Sequence, residues 1–355
     1  MNFKKWTYIF LIEACLAVIC SASINIIVDP FSHYRKPLPQ LFYELYNERY
    51  QNDGILKHFD YDAIITGTSM TENFKTSEFN AIFNANAIKV PFSGGSFKEI
   101  NDNIETGFKA GHNIKYVVRS LDTYNFLQDK DKMRNDLGNY PVYLYNDNLL
   151  DDVKYIVNKD AAEISLKMIK NKLRGKIGGI TSFDEYANWN NDYKFGAKFV
   201  LKDRKEYKQP IEEANLSDNE RKIIKANVEQ NVISLAEKHP ETTFYYFFPP
   251  YSATYWGELY EKGDLNKQIS IEEYAIELIL QQTNIKLFSF NTMTDITTNL
   301  NNFKDTLHYG EWINTKMLEY MKNNTGLLTK GNYKQYITNL RVLYSNYPYN
   351  SLCKQ

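Results

Sequence analysis

Asp62-Ala63-Ile64-Ile65-Thr66-Gly67-Thr68-Ser69-Met70-Thr71-Glu72-Asn73 is the stretch on which the fold turns. Its first half is a short apolar run closed by glycine, the pattern of a buried strand. Its second half is polar and, from Glu72, compatible with helix, so strand gives way to helix through a turn carrying Thr68 and Ser69. Ser69 and Glu72 also have the S-x-x-E spacing of a capping box, which predicts a helix starting at Ser69. The unit then recurs. Ala87-Ile88-Lys89-Val90-Pro91-Phe92 reads as a second strand, closed by Ser93-Gly94-Gly95-Ser96. Over 97–110, Ile100, Ile104 and Phe108 follow at helical spacing.

Further out the alternation continues. Strands are predicted at 115–121, 243–248 and 285–290, and helices at 214–239, 271–282 and 311–321. The class is therefore α/β, a three-layer α/β/α arrangement around a flavodoxin-like parallel sheet of about five strands. Ligands of such sheets bind at the carboxyl ends of the strands, so the turns there are the places to search. Between about 123 and 213 the alternation stops in a Tyr-, Asn- and Lys-rich stretch too long for a bare loop, predicted as an inserted helical cap. Within it Lys167, Lys170, Lys172, Arg174 and Lys176 form a basic cluster, either a solvated helix face or a surface for an anionic polymer or lipid.

At the other end, Lys4 and Lys5 precede an apolar run over 6–28. Its length suits a bilayer crossing, and charge before the run orients the main chain outward. Ser21-Ala22-Ser23 offers a signal-peptidase site, but Ile24, Ile26, Ile27 and Val28 prolong the run and favour an uncleaved anchor. The expected plan is an anchor at 1–30, a linker at 31–59, a main domain at 60–322 with its cap, and an unassigned tail at 323–355.

Composition removes several functions. Among 355 residues, 42 Lys and Arg face 43 Asp and Glu, so no general positive field gathers nucleic acid. A mean hydropathy of −0.51 excludes a multi-span transporter. Three cysteines make no disulfide framework. G-x-G-x-x-G, a G-K-[ST] phosphate loop and a metal-spaced His/Cys/carboxylate cluster are all missing from the sequence, so neither metal nor cofactor is expected.

Elimination among the histidines locates the candidate chemistry. Of five histidines, His33, His58, His112 and His239 each have an adequate structural role, whereas His308 occurs in Asp305-Thr306-Leu307-His308 just before the last helix. A carboxylate three residues earlier can hold the imidazole tautomer that a general base needs. Gly67-Thr68-Ser69, Phe92-Ser93-Gly94-Gly95-Ser96 and this D-x-x-H, in that order and on those elements, resemble the SGNH (GDSL-like) hydrolase superfamily over about 60–122 and 240–322. The resemblance implies that Ser69 attacks an acyl carbonyl, His308 takes its proton and Asp305 orients His308. It also implies that the N–H groups of Ser69 and of Gly94 or Gly95 hold the oxyanion. The third block departs from the family. Where many members place Gly-x-Asn-Asp, this chain has Ser120-Leu121-Asp122-Thr123-Tyr124-Asn125. An ionised Asp122 cannot donate to an oxyanion, and Asn125 is the candidate substitute; Asp122 could orient substrate, hold a water or close the strand.

The anchor followed by Asn25-Ile26-Ile27-Val28-Asp29-Pro30-Phe31 is similar to the envelope members of the superfamily, the teichoic-acid D-alanyl-transfer protein and the alginate O-acetyltransferase group. That likeness implies transfer of an acetyl or aminoacyl group from a multi-span acyl-exporting membrane protein, through Ser69, to a polysaccharide or teichoic-acid-like acceptor. Two other readings share the residues: an extracytoplasmic carbohydrate or lipid esterase, and a non-catalytic envelope assembly factor.

Overall fold

The computed structural model describes residues 3–41, 43–134, 140–146, 148–210 and 212–354. They fall into two compact units, one drawn from 1–60 and 135–182, the other from 61–134 and 183–355.

The larger unit contains the sheet. Its strands are β1 (Ala63–Thr66), β2 (Ala87–Lys89), β3 (Tyr116–Ser120), β4 (Thr243–Phe248), β5 (Ile285–Ser289) and β6 (Leu327–Leu328). They lie in the order β2-β1-β3-β4-β5-β6. The first five run parallel and only the two-residue β6 is antiparallel, so the predicted five-strand parallel sheet is present with one extra edge strand. The chain leaves β1 for β2 on one side and returns to β3 on the other. This makes the β1/β3 boundary the topological switch point, where a crevice opens at the strand ends. Helices Thr76–Phe83 and Glu311–Lys322 pack together, while Phe97–Lys109, Asp218–Val228, Leu265–Ile279 and Tyr333–Ser345 make a second group; with the sheet between them, these are the three layers.

Two local expectations change. The helix foreseen over 214–239 is interrupted by a π-helical turn at Glu229–Ile233. The interruption has a cause: the fully buried Arg119 of β3 needs acceptors, and the carbonyl of Asn231 accepts from its Nη1 at 2.6 Å, with Phe97 O at 3.2 Å from Nη2. The stretch 323–355, left unassigned by sequence, supplies β6 and the helix Tyr333–Ser345, which packs on Leu265–Ile279. A buried carboxylate anchors it. Glu272 accepts from the Tyr336 hydroxyl, from Asn291 Nδ2 at 3.3 Å and from Ser289 Oγ at 3.5 Å.

The smaller unit begins with the helix Phe3–Val28, the one helix among the described residues long and apolar enough to cross a membrane. Residues 31–59 are not a linker. Asp29 organises the following turn, accepting from the N–H groups of His33, Tyr34 and Arg35 and from the Tyr155 hydroxyl. Helix Glu48–His58 then packs back: Gln51 Nε2 donates to Pro30 O and Glu44 O, and a Cβ at Gly54 would collide with the Phe31 carbonyl. The expected cap over 123–213 is likewise divided, its middle joining this unit and 183–213 joining the other. Buried Glu44 draws in Lys167 (2.7 Å) and Asn171 (3.1 Å), which accounts for one member of the basic cluster.

Burial pushes the Glu272 carboxyl up to about 7. Between its ordinary range and pH 7 the folded chain therefore holds a proton that the unfolded chain has lost, and stability falls as pH rises through that window. We expect a loss of up to about 3 kcal/mol between pH 4.5 and 7 from this group. Glu272→Gln should flatten that part of the profile in denaturant melts across the range.

Candidate active site

Ser69 follows β1 in a tight turn rather than at the start of a helix. Thr71 N–H and Thr71 Oγ1 both donate to Thr68 O (2.9 and 2.8 Å), closing a turn over Ser69 and Met70. No helix begins there; the next one starts at Thr76, behind Lys75. The capping-box reading fails because the backbone beyond the turn is claimed elsewhere. The buried ammonium of Lys89, on β2, takes the carbonyls of Glu72 and Phe74. Ser69 is thus not consumed as a cap.

Its hydroxyl points instead at the C-terminal motif. Ser69 Oγ lies 2.8 Å from His308 Nε2, and His308 Nδ1 lies 2.8 and 3.0 Å from the two carboxylate oxygens of Asp305. The ring proton therefore belongs on Nδ1, facing the carboxylate, which leaves Nε2 to accept the serine hydroxyl. Asp305 is itself fixed, because Oδ1 accepts from the N–H groups of Leu307 and His308, each at 2.8 Å. Burial alone would raise its carboxyl, but the His308 bond and charge and these two N–H groups outweigh burial and hold it below the usual carboxylate range. It stays an anion, as a partner for an imidazolium must.

The two turns are joined by a residue that the sequence reading missed. Tyr309, buried beside His308, donates its hydroxyl to Met70 O at 3.1 Å, so the histidine turn and the serine turn share a hydrogen bond. Its position one residue after the D-x-x-H was the only signal for it. On the other side Trp189 meets the His308 ring edge-on at 5.6 Å and is held by Asn73 Oδ1 through its backbone N–H. The Lys304 ammonium lies over the rings of Trp189 and Tyr193 at 3.7 and 3.5 Å. Burial, partly opposed by nearby carboxylates, lowers its pKa.

The glycine block sits at the same sheet edge, since Phe92 N–H donates to Gly67 O at 2.8 Å. The Gly95 N–H is engaged by Phe92 O at 2.7 Å, and Gly94 takes a left-handed conformation under the Arg134 guanidinium. Asn125 is fully buried, with Nδ2 donating to Gly95 O at 3.0 Å, so it braces this loop. Asp122 lies underneath the serine turn, 1% exposed. It accepts from Thr68 Oγ1 (2.8 Å), Ser120 Oγ (3.0 Å) and the Tyr251 hydroxyl (2.9 Å). Burial raises its carboxyl and these three donors only partly offset the rise. Gly67 permits this closeness, because a Cβ there would collide with Ser120 Oγ. Among the described residues no group of His, Cys, Asp and Glu could hold a metal ion.

Thr68 is the contact between Asp122 and the serine turn, since its Oγ1 also accepts from Met70 N–H at 3.3 Å. Thr68→Val keeps the shape and deletes both bonds. It should cost about 2 kcal/mol in melts. Thr68→Ser should recover that loss.

Comparisons of the chain with protein-family models, with curated proteins and with solved structures find no match.

Proposed function

We propose that this chain is a membrane-anchored serine acyl-ester enzyme, working outside the cytoplasm, that transfers an O-acyl group to a cell-envelope polysaccharide through an acyl-Ser69 intermediate. The observation that carries the reading is the in-line contact Ser69–His308–Asp305, with Nε2 2.8 Å from Oγ. Ser69 meets His308 and Asp305, more than two hundred positions away, in the geometry of a nucleophile, its base and the orienter of that base. The resemblance noted in the sequence supplies the reaction class, and the long apolar N-terminal helix supports the anchor.

Chemically, Ser69 Oγ bonds to the acyl carbon as its proton passes to His308 Nε2, and the imidazolium is stabilised by Asp305. Collapse of the tetrahedral adduct breaks the bond to the donor's leaving group, which takes the proton from Nε2. An acceptor hydroxyl then attacks the ester, gives its proton to Nε2, and Ser69 departs with that proton. With the Gly95 N–H engaged, the Ser69 and Gly94 N–H groups are the donors assigned to the oxyanion. No cofactor enters.

Mass spectrometry of the detergent-solubilised full chain after exposure to an activated acyl ester tests the reading. A single acyl adduct on Ser69 is expected, absent from Ser69→Ala and formed about a thousandfold more slowly by His308→Ala. Persistence of the adduct in water and its discharge by added glycans would identify a transferase; rapid discharge by water alone, an esterase. A folded wild type that never labels would move the assignment to a non-catalytic assembly factor.

A further inference from the structure

We propose that residues 149–173 lie on the bilayer surface and bind anionic lipid headgroups, so that the smaller unit rests on the membrane as well as being tethered to it. The inference rests on the anchored reading above and on three observations made within this one unit.

The first is depth. Residues 3–20 of the N-terminal helix are exposed on every side, and packing begins only at Ser21. Lys4 and Lys5 belong to the headgroups of the far leaflet, so the hydrocarbon begins near Trp6. At about 1.5 Å per residue a layer about 30 Å thick ends about 20 residues on, which puts Asn25 at the inner edge of the near headgroups. Asn25 is fully buried and brings the middle of the segment to that level: Nδ2 donates to Ile156 O (2.9 Å) and Asn158 O (3.1 Å), and Oδ1 accepts from Ser165 Oγ (3.2 Å).

The second is what the segment shows to its surroundings at that level. Its inner face is apolar and closed, with Tyr155, Ala161, Ile164 and Met168 packed around Val28 and Phe31. Its outer face carries aliphatic side chains among charged ones. Leu149 and Leu150 are 78% and 84% exposed, and Val153, Val157 and Leu166 about half exposed. A single exposed leucine needs no explanation, but five aliphatic side chains within eighteen residues do.

The third is charge. Residues 149–173 carry five lysines against four acidic residues, of which Asp152 is buried against His33, and Arg174 and Lys176 follow directly. Lys167 is taken by Glu44 and Lys159 pairs with Glu163. Lys154 and Lys170 are interleaved with the exposed aliphatics. Aliphatic side chains with lysines among them, beside a spanning helix, match the acyl-chain boundary and its anionic headgroups. A wholly apolar protein partner would leave the lysines buried without counter-charge, at a cost.

The test uses the full chain with its three cysteines replaced, reconstituted in vesicles of phosphatidylcholine alone or mixed with phosphatidylglycerol. Bimane is placed at Leu150→Cys or Val153→Cys, with Val18→Cys inside the helix and Val342→Cys on the larger unit as references. Quenching by nitroxide-bearing lipids is then read. Quenching at 150 and 153 well above that at 342, stronger with phosphatidylglycerol and weakened by Lys154→Glu with Lys170→Glu, is expected. Quenching at 18 but not at 150 or 153 would overturn this inference and leave the anchor standing. Loss at 18 as well would overturn the anchor, and this inference with it. Quenching indifferent to phosphatidylglycerol and to the charge reversals would overturn the role given to anionic lipid.

Discussion

A buried carboxylate at the end of β3 holds the candidate site together. Asp122 has no cationic partner among the hydrogen bonds described; it is satisfied by three hydroxyls, from Thr68 after β1, Ser120 on β3 and Tyr251 after β4. Each comes from a different segment of the sheet edge, so one side chain sets the spacing of the segments across the topological switch point. A buried acid held by hydroxyls is costly if any donor is lost, and that cost is what makes the arrangement specific. The serine turn inherits its geometry from this contact through Thr68, and the histidine turn is then joined to it by Tyr309.

The polar network extends well beyond the turn. Tyr251, which donates to Asp122, also donates its backbone N–H to Asn291 Oδ1 at the β5 end (3.4 Å). Asn291 in turn donates to Glu272 (3.3 Å), and its carbonyl accepts from the Tyr344 hydroxyl (2.7 Å). A line of buried polar groups thus runs from β3 to the C-terminal helix. That explains why the last thirty residues are ordered against the sheet although their sequence is too polar and aromatic to read as core: their apolar periodicity is weak, and their tyrosines are placed by hydroxyl partners that sequence does not reveal.

Much of the sheet was legible because five parallel strands buried on both faces must be short apolar runs, as Ile64-Ile65 and Tyr246-Phe247-Phe248 are. The pairing of Ser69 with His308 and Asp305 was implied by the family resemblance, while the rule that sites collect at strand ends pointed only to the turn that carries Ser69. What sequence could not show were contacts made by residues of the wrong apparent type. Lys89 reads as a polar break in a strand, yet its ammonium fixes the backbone after Ser69 and prevents the helix that S-x-x-E announces. Arg119 likewise looks like a surface residue, and only its burial explains the π-helical turn at Glu229–Ile233. Residues 31–59 were misread as a linker because their partners, such as Lys167 and Asn171 for Glu44, are more than a hundred positions away.

On the proposed reading the three residues treat water and a sugar hydroxyl alike, so selectivity for an acceptor would come from the walls around His308. On the proposed reading, one wall is Trp189, edge-on to the imidazole, with Tyr193 beyond it and the Lys304 ammonium over both rings. The lysine occupies faces that a sugar ring would otherwise stack on, which leaves its ammonium and the ring edges as the groups presented to an acceptor. Burial lowers the pKa of this ammonium and leaves it less solvated than a surface lysine, so on that reading it is a group that an anionic or hydroxyl-rich acceptor would meet. Transfer outruns hydrolysis when the acceptor is held where Nε2 can take its proton, because positioning is worth orders of magnitude in effective concentration. The wall, more than the triad, is therefore where an acyltransferase and an esterase of this architecture would differ.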